Sequence, residues 1–375
     1  MKFLFAIKAL SLSGGAERVL ADLASELARR GHVVTVISYD PPGSVDFFPF
    51  DPAVRRVRLG IGRALETAGI TDTARRVGAL RREATRLAPD VAVGFMHSVY
   101  LPMGVALLGT GIPVIASEHT VYDHYRTRPL QAASMRLLPL VADGVTAISQ
   151  SVLETFPAVI RRSMSVVPDP VAATANGRAN VRGAGRRTLL TVGRLAEEKD
   201  HRTLIAAFAN VAADFPDWDL RIIGEGELRA ALEAQIAALD LGARVLMPGA
   251  TSDVGAEYAQ AQLFAIPSRY ESFGLATAEA FAHGLPAVGF ADCPGTNELI
   301  EPGRNGLLVS GPDRVQALAA GLRKLMSRPD ERERLGAAAP KSVAPYSLSE
   351  VARTWERLAA QIVDGRKKRR TSPSA

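Results

Sequence analysis

Short apolar runs recur along this chain, and most are followed by a stretch whose apolar positions return every three to four residues. Lys2–Ile7, Val33–Ser38, Val54–Leu59, Val91–Phe95, Pro113–Glu118 and Gly144–Ile148 read as strands, with Val166–Pro168 a last short extended piece. Their near-continuous apolarity implies burial on both faces, as in parallel sheets covered by helices. Arg18–Arg29 is amphipathic, with Val19, Leu20, Leu23 and Leu27 at helical spacing and Gly31 just past its end. Ala172–Arg187 breaks the pattern: Val181 is its one large apolar residue, and the stretch reads as a linker or exposed loop. A second alternation follows. Its strands are Thr188–Val192, Leu220–Gly224, Val245–Met247, Leu263–Ile266, Ala287–Phe290 and Gly306–Val309. Its helices are Arg202–Ala213, Glu227–Leu239, Leu275–Ala282, Val315–Met326 and Ser347–Val363.

This pattern predicts two doubly wound α/β domains of similar size. The expected layout is an N-terminal domain over 1–171, a linker over 172–187 and a second domain over 188–345. A C-terminal helix over 346–365 would pack back on the first domain, ahead of a basic polar tail over 366–375. Such sheets bind ligands at the carboxyl ends of their strands, so two facing domains would make one cleft. A length of 375 residues, with 47% hydrophobic and 22% charged, accommodates two full cores. The single cysteine, Cys293, excludes an internal disulfide framework and suits a reducing cytoplasm. Phe3–Ile7 gives way to polar Ser11–Arg18 too early for a secretory signal, and no run nears the roughly 20 apolar residues that span a bilayer. The net charge of +6 concentrates in Arg366-Lys367-Lys368-Arg369-Arg370, ahead of polar Thr371–Ala375. No aromatics interleave with that cluster, which argues against nucleic acid. The cluster reads either as a solvated end or as a contact for an anionic membrane surface, which would place a cytoplasmic protein peripherally on the inner face of the membrane.

The candidate chemistry sits in loops after strands. Glu271-Ser-Phe-Gly-Leu-Ala-Thr-Ala-Glu279 places two carboxylates eight positions apart, the second inside a helix that Gly274 opens. At about 1.5 Å per residue the pair stands roughly 10 Å apart. That is wider than the 5–9.5 Å of carboxylates that cleave a glycosidic bond between them, and it suits a sugar and a ribose with a diphosphate between. Backbone N–H groups around Phe273, Gly274 and Leu275 would meet that diphosphate. After Thr188–Val192 comes Gly193-Arg194-Leu195-Ala196-Glu197-Glu198-Lys199, where Arg194 and Lys199 would clamp it. Ser13-Gly14-Gly15-Ala16-Glu17-Arg18 lets backbone approach an anion at a helix start, without the spacing of nicotinamide-binding loops. Ser117-Glu118-His119-Thr120 ends a strand, with Tyr122, His124 and Tyr125 close by to stack on a sugar ring, and His97 follows another strand. Asp217-Trp218-Asp219 reads as turn chemistry rather than a metal motif. If Thr73–Ala88 is helical, Arg75, Arg82 and Arg86 form a stripe opposite Val77, Leu80, Ala84 and Leu87. That stripe would suit the pyrophosphate of a lipid-linked acceptor.

These motifs resemble the family-four retaining glycosyltransferases of the GT-B fold: Glu271-Ser-Phe-Gly…Glu279, Gly193-Arg194-Leu195…Lys199 and Gly14-Gly15-Ala16-Glu17-Arg18. The resemblance covers most of the chain. It implies transfer of a hexose or N-acetylhexosamine from a nucleotide-sugar, without metal or other cofactor, to a glycan or lipid-linked acceptor in polysaccharide or lipid-linked oligosaccharide synthesis. The implied roles are Glu271 on the donor sugar, Glu279 on the ribose, Arg194 and Lys199 on the leaving diphosphate, Gly15 on donor phosphate and His119 on sugar and acceptor. Cys293-Pro294-Gly295-Thr296-Asn297-Glu298 is similar to a stretch in bacterial members using UDP-galactose-type donors. Two alternatives share the architecture: a UDP-sugar 2-epimerase, turning over donor with no acceptor present, and a non-catalytic nucleotide-sugar binding protein.

Overall fold

The computed structural model describes residues 1–12, 14–62, 69–126, 128–171, 177–251 and 253–371. Ser13 of the glycine motif, 172–176 of the expected linker and 372–375 of the expected tail lie outside the described residues, as do the side chains of Arg369 and Arg370. The chain forms two units, Met1–Pro170 with Leu348–Ala375, and Val171–Ser347.

The first unit is built on seven parallel strands: β1 (Lys2–Ile7), β2 (Val33–Ser38), β3 (Arg55–Arg58), β4 (Val91–Phe95), β5 (Val114–Glu118), β6 (Gly144–Ala147) and β7 (Met164–Val166). Their spatial order is β3-β2-β1-β4-β5-β6-β7, so the winding reverses at β1 and β4. The inner strands are apolar and buried on both faces, whereas edge strand β3, Arg-Arg-Val-Arg, leaves Arg55 and Arg56 exposed. Helix Gly15–Arg29 buries Leu20, Leu23 and Leu27, while Leu80 and Ala84 of helix Ile70–Leu87 meet Val99 and Met103 of helix His97–Leu107. Strand β7 lies earlier than the expected Val166–Pro168. Met164 pairs with Val145 there, and Pro168 has no N–H to continue a ladder.

The C-terminal helix runs Leu348–Thr371 and belongs to this unit. Arg30 grips Glu356 with two 2.8 Å hydrogen bonds, Trp355 stacks on Phe95 with ring centroids 6.5 Å apart, and Arg366 donates to Asp143. The expected boundary at 365 is therefore corrected. The basic cluster begins as helix, and Arg366 has a structural partner.

The second unit has six parallel strands: β8 (Arg187–Val192), β9 (Trp218–Ile223), β10 (Val245–Gly249), β11 (Leu263–Ile266), β12 (Ala287–Phe290) and β13 (Gly306–Val309). Their order β10-β9-β8-β11-β12-β13 reverses at β8 and β11. Leu204 and Phe208 from helix His201–Ala212 and Leu318 and Leu322 from helix Arg314–Met326 are fully buried in one core with Trp218. The described part of the expected linker is fastened to this unit. Val181 is buried, the Ala179 amide donates to the His283 carbonyl, and buried Arg332 donates to the Val181 and Arg182 carbonyls. Asp217 faces Arg187, and Asp219 faces Arg186 and Arg244, so both carboxylates are committed to arginines.

Candidate functional site

In the second unit, the expected donor residues gather at the carboxyl ends of β8 and β11, the switch point of its sheet. Lys199 Nζ lies 2.7 and 2.8 Å from the two carboxylate oxygens of Glu271, and Ser268 Oγ donates to the same carboxylate at 2.7 Å. Glu271 is 8% exposed, so its charge is held in a largely desolvated place by an ammonium and a hydroxyl. The sequence placed Lys199 on a diphosphate and Glu271 on a sugar. In the free protein each occupies the other. Arg194 lies outward, its side chain 66% exposed, and pairs with Glu198. The Phe273 ring is buried edge-on against Tyr346, which leaves its backbone as the part a ligand would meet. Gly274, left-handed at φ +86°, opens helix Leu275–Ala282, whose first amides have no intrahelical partner. Buried Glu279, one turn in, accepts a 3.0 Å hydrogen bond from the Tyr258 hydroxyl.

Groups with no motif signature lock these loops. Arg314 begins a helix and touches three strand ends at once. It donates to the Pro267 and Ser268 carbonyls at 3.1 and 3.2 Å, pairs with Asp292 at 2.9 Å and lies 3.6 Å over the Phe290 ring, with Asp200 at 3.5 Å. It thereby holds Ser268, and through it Glu271. Gly295 has φ +76°, and a Cβ there would stand 2.5 Å from the Glu271 carbonyl oxygen, so only glycine lets the Cys293–Thr296 turn lie against Glu271. The Glu271 amide donates to the Pro294 carbonyl at 3.2 Å. Buried Cys293 has its thiol pushed up to about 11, by burial first, and is no nucleophile at neutral pH. Gly193 ends β8. The backbone after it is strapped to the next strand's loop: Leu195 N–H donates to the Glu225 carbonyl and Leu228 N–H to that of Leu195.

In the first unit, the carboxyl ends of β1, β4 and β5 carry Gly15, His97 and His119. A Cβ at Gly15 would meet nothing within 4 Å, whereas the Glu17 carboxylate lies against Gly14, the residue that caps the helix. His119 stacks on Phe95 with centroids 5.0 Å apart; its Nδ1 is 3.3 Å from Asp169 and its Nε2 is 3.0 Å from Ser117 Oγ. Burial alone would lower its pKa, but Asp169, with Glu118 and Glu17 beyond, outweighs burial and holds it above the usual imidazole value. Burial instead drives His97 down to about 4, helped by the charges of His124, Arg128 and Lys8. Fully buried Glu118 accepts from the Tyr100 and Tyr125 hydroxyls at 2.6 and 2.7 Å and from the amides of His119 and Thr120, fixing the loop that carries His119. Half-buried Tyr122 packs edge-on against Phe156 and Tyr125 rather than standing free. Asp169 follows β7 between two prolines and gave no signal in the sequence.

The arginine stripe exists, but it runs away from these residues. Arg75, Arg82 and Arg86 are exposed along helix Ile70–Leu87, which ends shortly before β4 begins and so at the amino edge of the sheet. Arg75 and Arg86 also have acidic neighbours on their own helix, Asp72 at 3.6 Å and Glu83 at 2.6 Å. Among the described residues no group of three or more His, Cys, Asp or Glu side chains is placed to hold a metal ion.

Two family descriptions match adjoining parts of the chain: Glycosyltransferase Family 4 over residues 13–174 and Glycosyl transferases group 1 over 174–342. An uncharacterized glycosyltransferase of Haemophilus influenzae is 25% identical over 355 residues, covering 94% of this chain and 98% of its own. Among solved structures, sucrose-phosphate synthase from Thermosynechococcus elongatus superposes with a TM-score of 0.81 at 20% identity, covering 97% of this chain and 99% of that one. Anabaena HepE, solved in complex with UDP and glucose, superposes at 0.78 with 19% identity, covering 96% and 99%. With both halves matched by glycosyltransferase families, and with each half a parallel α/β unit of the kind found in those structures, the chain belongs to the glycosyltransferases of the GT-B fold.

Proposed function

We propose that the protein is a retaining, metal-independent glycosyltransferase. It moves a hexose or N-acetylhexosamine from a UDP-sugar, of the UDP-galactose type, to a membrane-linked glycan in polysaccharide or lipid-linked oligosaccharide synthesis. The observation that carries this reading is the Lys199–Glu271–Ser268 cluster beside the amino end of helix Leu275–Ala282, at the switch point of the second sheet. Breaking the bond between the anomeric carbon and phosphate leaves charge on UDP, and the cations of Lys199 and Arg194 with a helix N-terminus oppose that charge. Donor binding exchanges partners. Lys199 leaves Glu271 for the diphosphate and Arg194 turns from Glu198, which frees the Glu271 carboxylate for sugar hydroxyls. Glu279 accepts from the ribose. The acceptor oxygen then bonds the anomeric carbon on the face the phosphate leaves, and its proton passes to a leaving phosphate oxygen, so no enzyme nucleophile takes part. Gly15 meets donor phosphate, while His119 and Tyr122 serve the sugar and acceptor. The family-four and group-one matches, and the UDP and glucose bound in the Anabaena relative, support a nucleotide-sugar donor.

A donor panel assayed for UDP release with and without chelator, followed by mass spectrometry of products on lipid-linked acceptors, tests the reading. One UDP-hexose consumed in chelator, giving a product with retained anomeric configuration, is expected. Interconversion of donors with no acceptor present, or tight donor binding with no turnover, contradicts it.

A further inference from the structure

The amino edge of the first sheet, opposite the edge that carries Gly15 and His119, has an unusual surface. Val105, Leu108, Leu137, Leu140 and Val159 are exposed there, at 48, 51, 52, 74 and 57%. They lie on or beside helices His97–Leu107, Leu138–Val141 and Ala158–Arg161, which precede β5, β6 and β7. Leu108 and Leu140 line one cavity of about 370 Å³ with Arg366. A second, of about 540 Å³, is lined by Arg81, Arg366 and Lys367 and shares Ile112 with the first. Exposed Arg136, Arg161 and Arg162 flank the leucines, and Arg82 and Arg86 reach the same edge from helix Ile70–Leu87. Asp143, the acid lining the first cavity, is already bound to Arg366.

We propose that this edge is a docking surface for an anionic bilayer, with Leu108, Leu137 and Leu140 entering the interface and the arginines and Lys367 meeting lipid phosphates. Exposed leucines within a ring of cations match the headgroup and acyl boundary of an anionic leaflet. A second copy would bring the same positive charge against itself, and nucleic acid would gain nothing from the leucines. The inference deepens the reading of a membrane-linked acceptor, and it moves the contact from the arginine stripe alone to the whole edge. Docked this way, the protein holds His119 away from the lipid by the length of the sheet, so the acceptor it favours carries its reactive hydroxyl at the end of an extended glycan.

Cosedimentation with phosphatidylcholine vesicles, with and without phosphatidylglycerol, tests it on the full chain. The wild type should bind only the phosphatidylglycerol vesicles and release as salt rises. The exposed pairs Leu108→Glu with Leu140→Glu, and Arg161→Glu with Arg162→Glu, should each lower partitioning by at least roughly tenfold, while melting and UDP release from the donor stay as in wild type. Wild-type indifference to phosphatidylglycerol, or unchanged binding by both variants, overturns the proposal. So does light scattering that shows a wild-type dimer lost in the leucine variant. Vesicle binding by a protein that releases UDP from no donor would sustain the docking surface and refute the transferase reading alone.

Discussion

Single side chains carry most of what can be tested in the second unit. If Glu271 holds the donor sugar and Glu279 the ribose, Glu271→Gln should depress turnover and leave UDP affinity near wild type, whereas Glu279→Gln should weaken UDP itself. Calorimetry with UDP beside a steady-state assay reads both, and the reverse pattern would turn the donor around. Removing charge from the clamp should cost more. Lys199→Ala or Arg194→Ala is expected to slow turnover by about two orders of magnitude, some 2.7 kcal/mol of barrier. Histidines set the response to acid. Burial holds His201 and His97 down to about 4, so the unfolded chain takes up protons first as pH falls below about 6.5. Their stabilising contribution is whole above that pH and is lost between it and about 4, on the order of 3 kcal/mol for each residue. His119 runs the other way: its raised pKa gives stability that is full below about 6.5 and lost as pH rises through the folded value. Calorimetric melting from acid to mildly alkaline pH should show the acid-side loss in wild type. In Asp169→Asn the alkaline-side slope should flatten. Identical profiles in the two proteins would remove Asp169 as the partner that matters.

At the scale of elements, the strands were legible and the devices that aim the site were not. Near-continuous apolar runs marked β1, β2, β4, β11 and β12 because both faces are covered. Helix His97–Leu107 escaped because it is apolar all round and so shows no period. Helix Pro329–Val343 escaped because its composition is polar and alanine-rich and a proline sits inside it. The described part of the expected linker up to Arg186 forms no helix or strand, and its exposed Arg182 binds Asp330 and Glu333 of that same helix, a tie the sequence does not show. In the site, Glu271, Lys199 and Glu279 stood out by motif. Arg314, Gly295 and Tyr258 act across strands far apart in sequence, which no local pattern encodes. Arg314→Lys keeps the charge but cannot span two carbonyls, Asp292 and a ring face together. We expect it to lower turnover at least about tenfold with UDP affinity little changed, because Ser268 and Glu271 lose their anchor. Gly295→Ala should do the same through direct collision with Glu271. Wild-type turnover in both variants would mean these loops are held by other contacts.

For the whole molecule, the doubly wound pattern was readable because each sheet repeats one rule, strand then crossover helix. The return of the C-terminal helix Leu348–Thr371 to the first unit rests on particular contacts, Arg30 with Glu356 and Trp355 on Phe95, that periodicity alone does not reveal. Among the described residues no helix is long and apolar enough to cross a membrane. In the proposed reaction the second unit binds a nucleotide-sugar, and Lys199 and Glu271, joined in the free protein, part to serve phosphate and sugar. The most direct measurement is single-turnover UDP release from the preferred donor in wild type, Lys199→Ala, Glu271→Gln and the double variant. Because the two groups act on one bond-breaking step, the double variant should be scarcely slower than the worse single one, far short of the product of the two losses. Wild-type rates in either single variant, or losses that multiply fully in the double, would contradict the account.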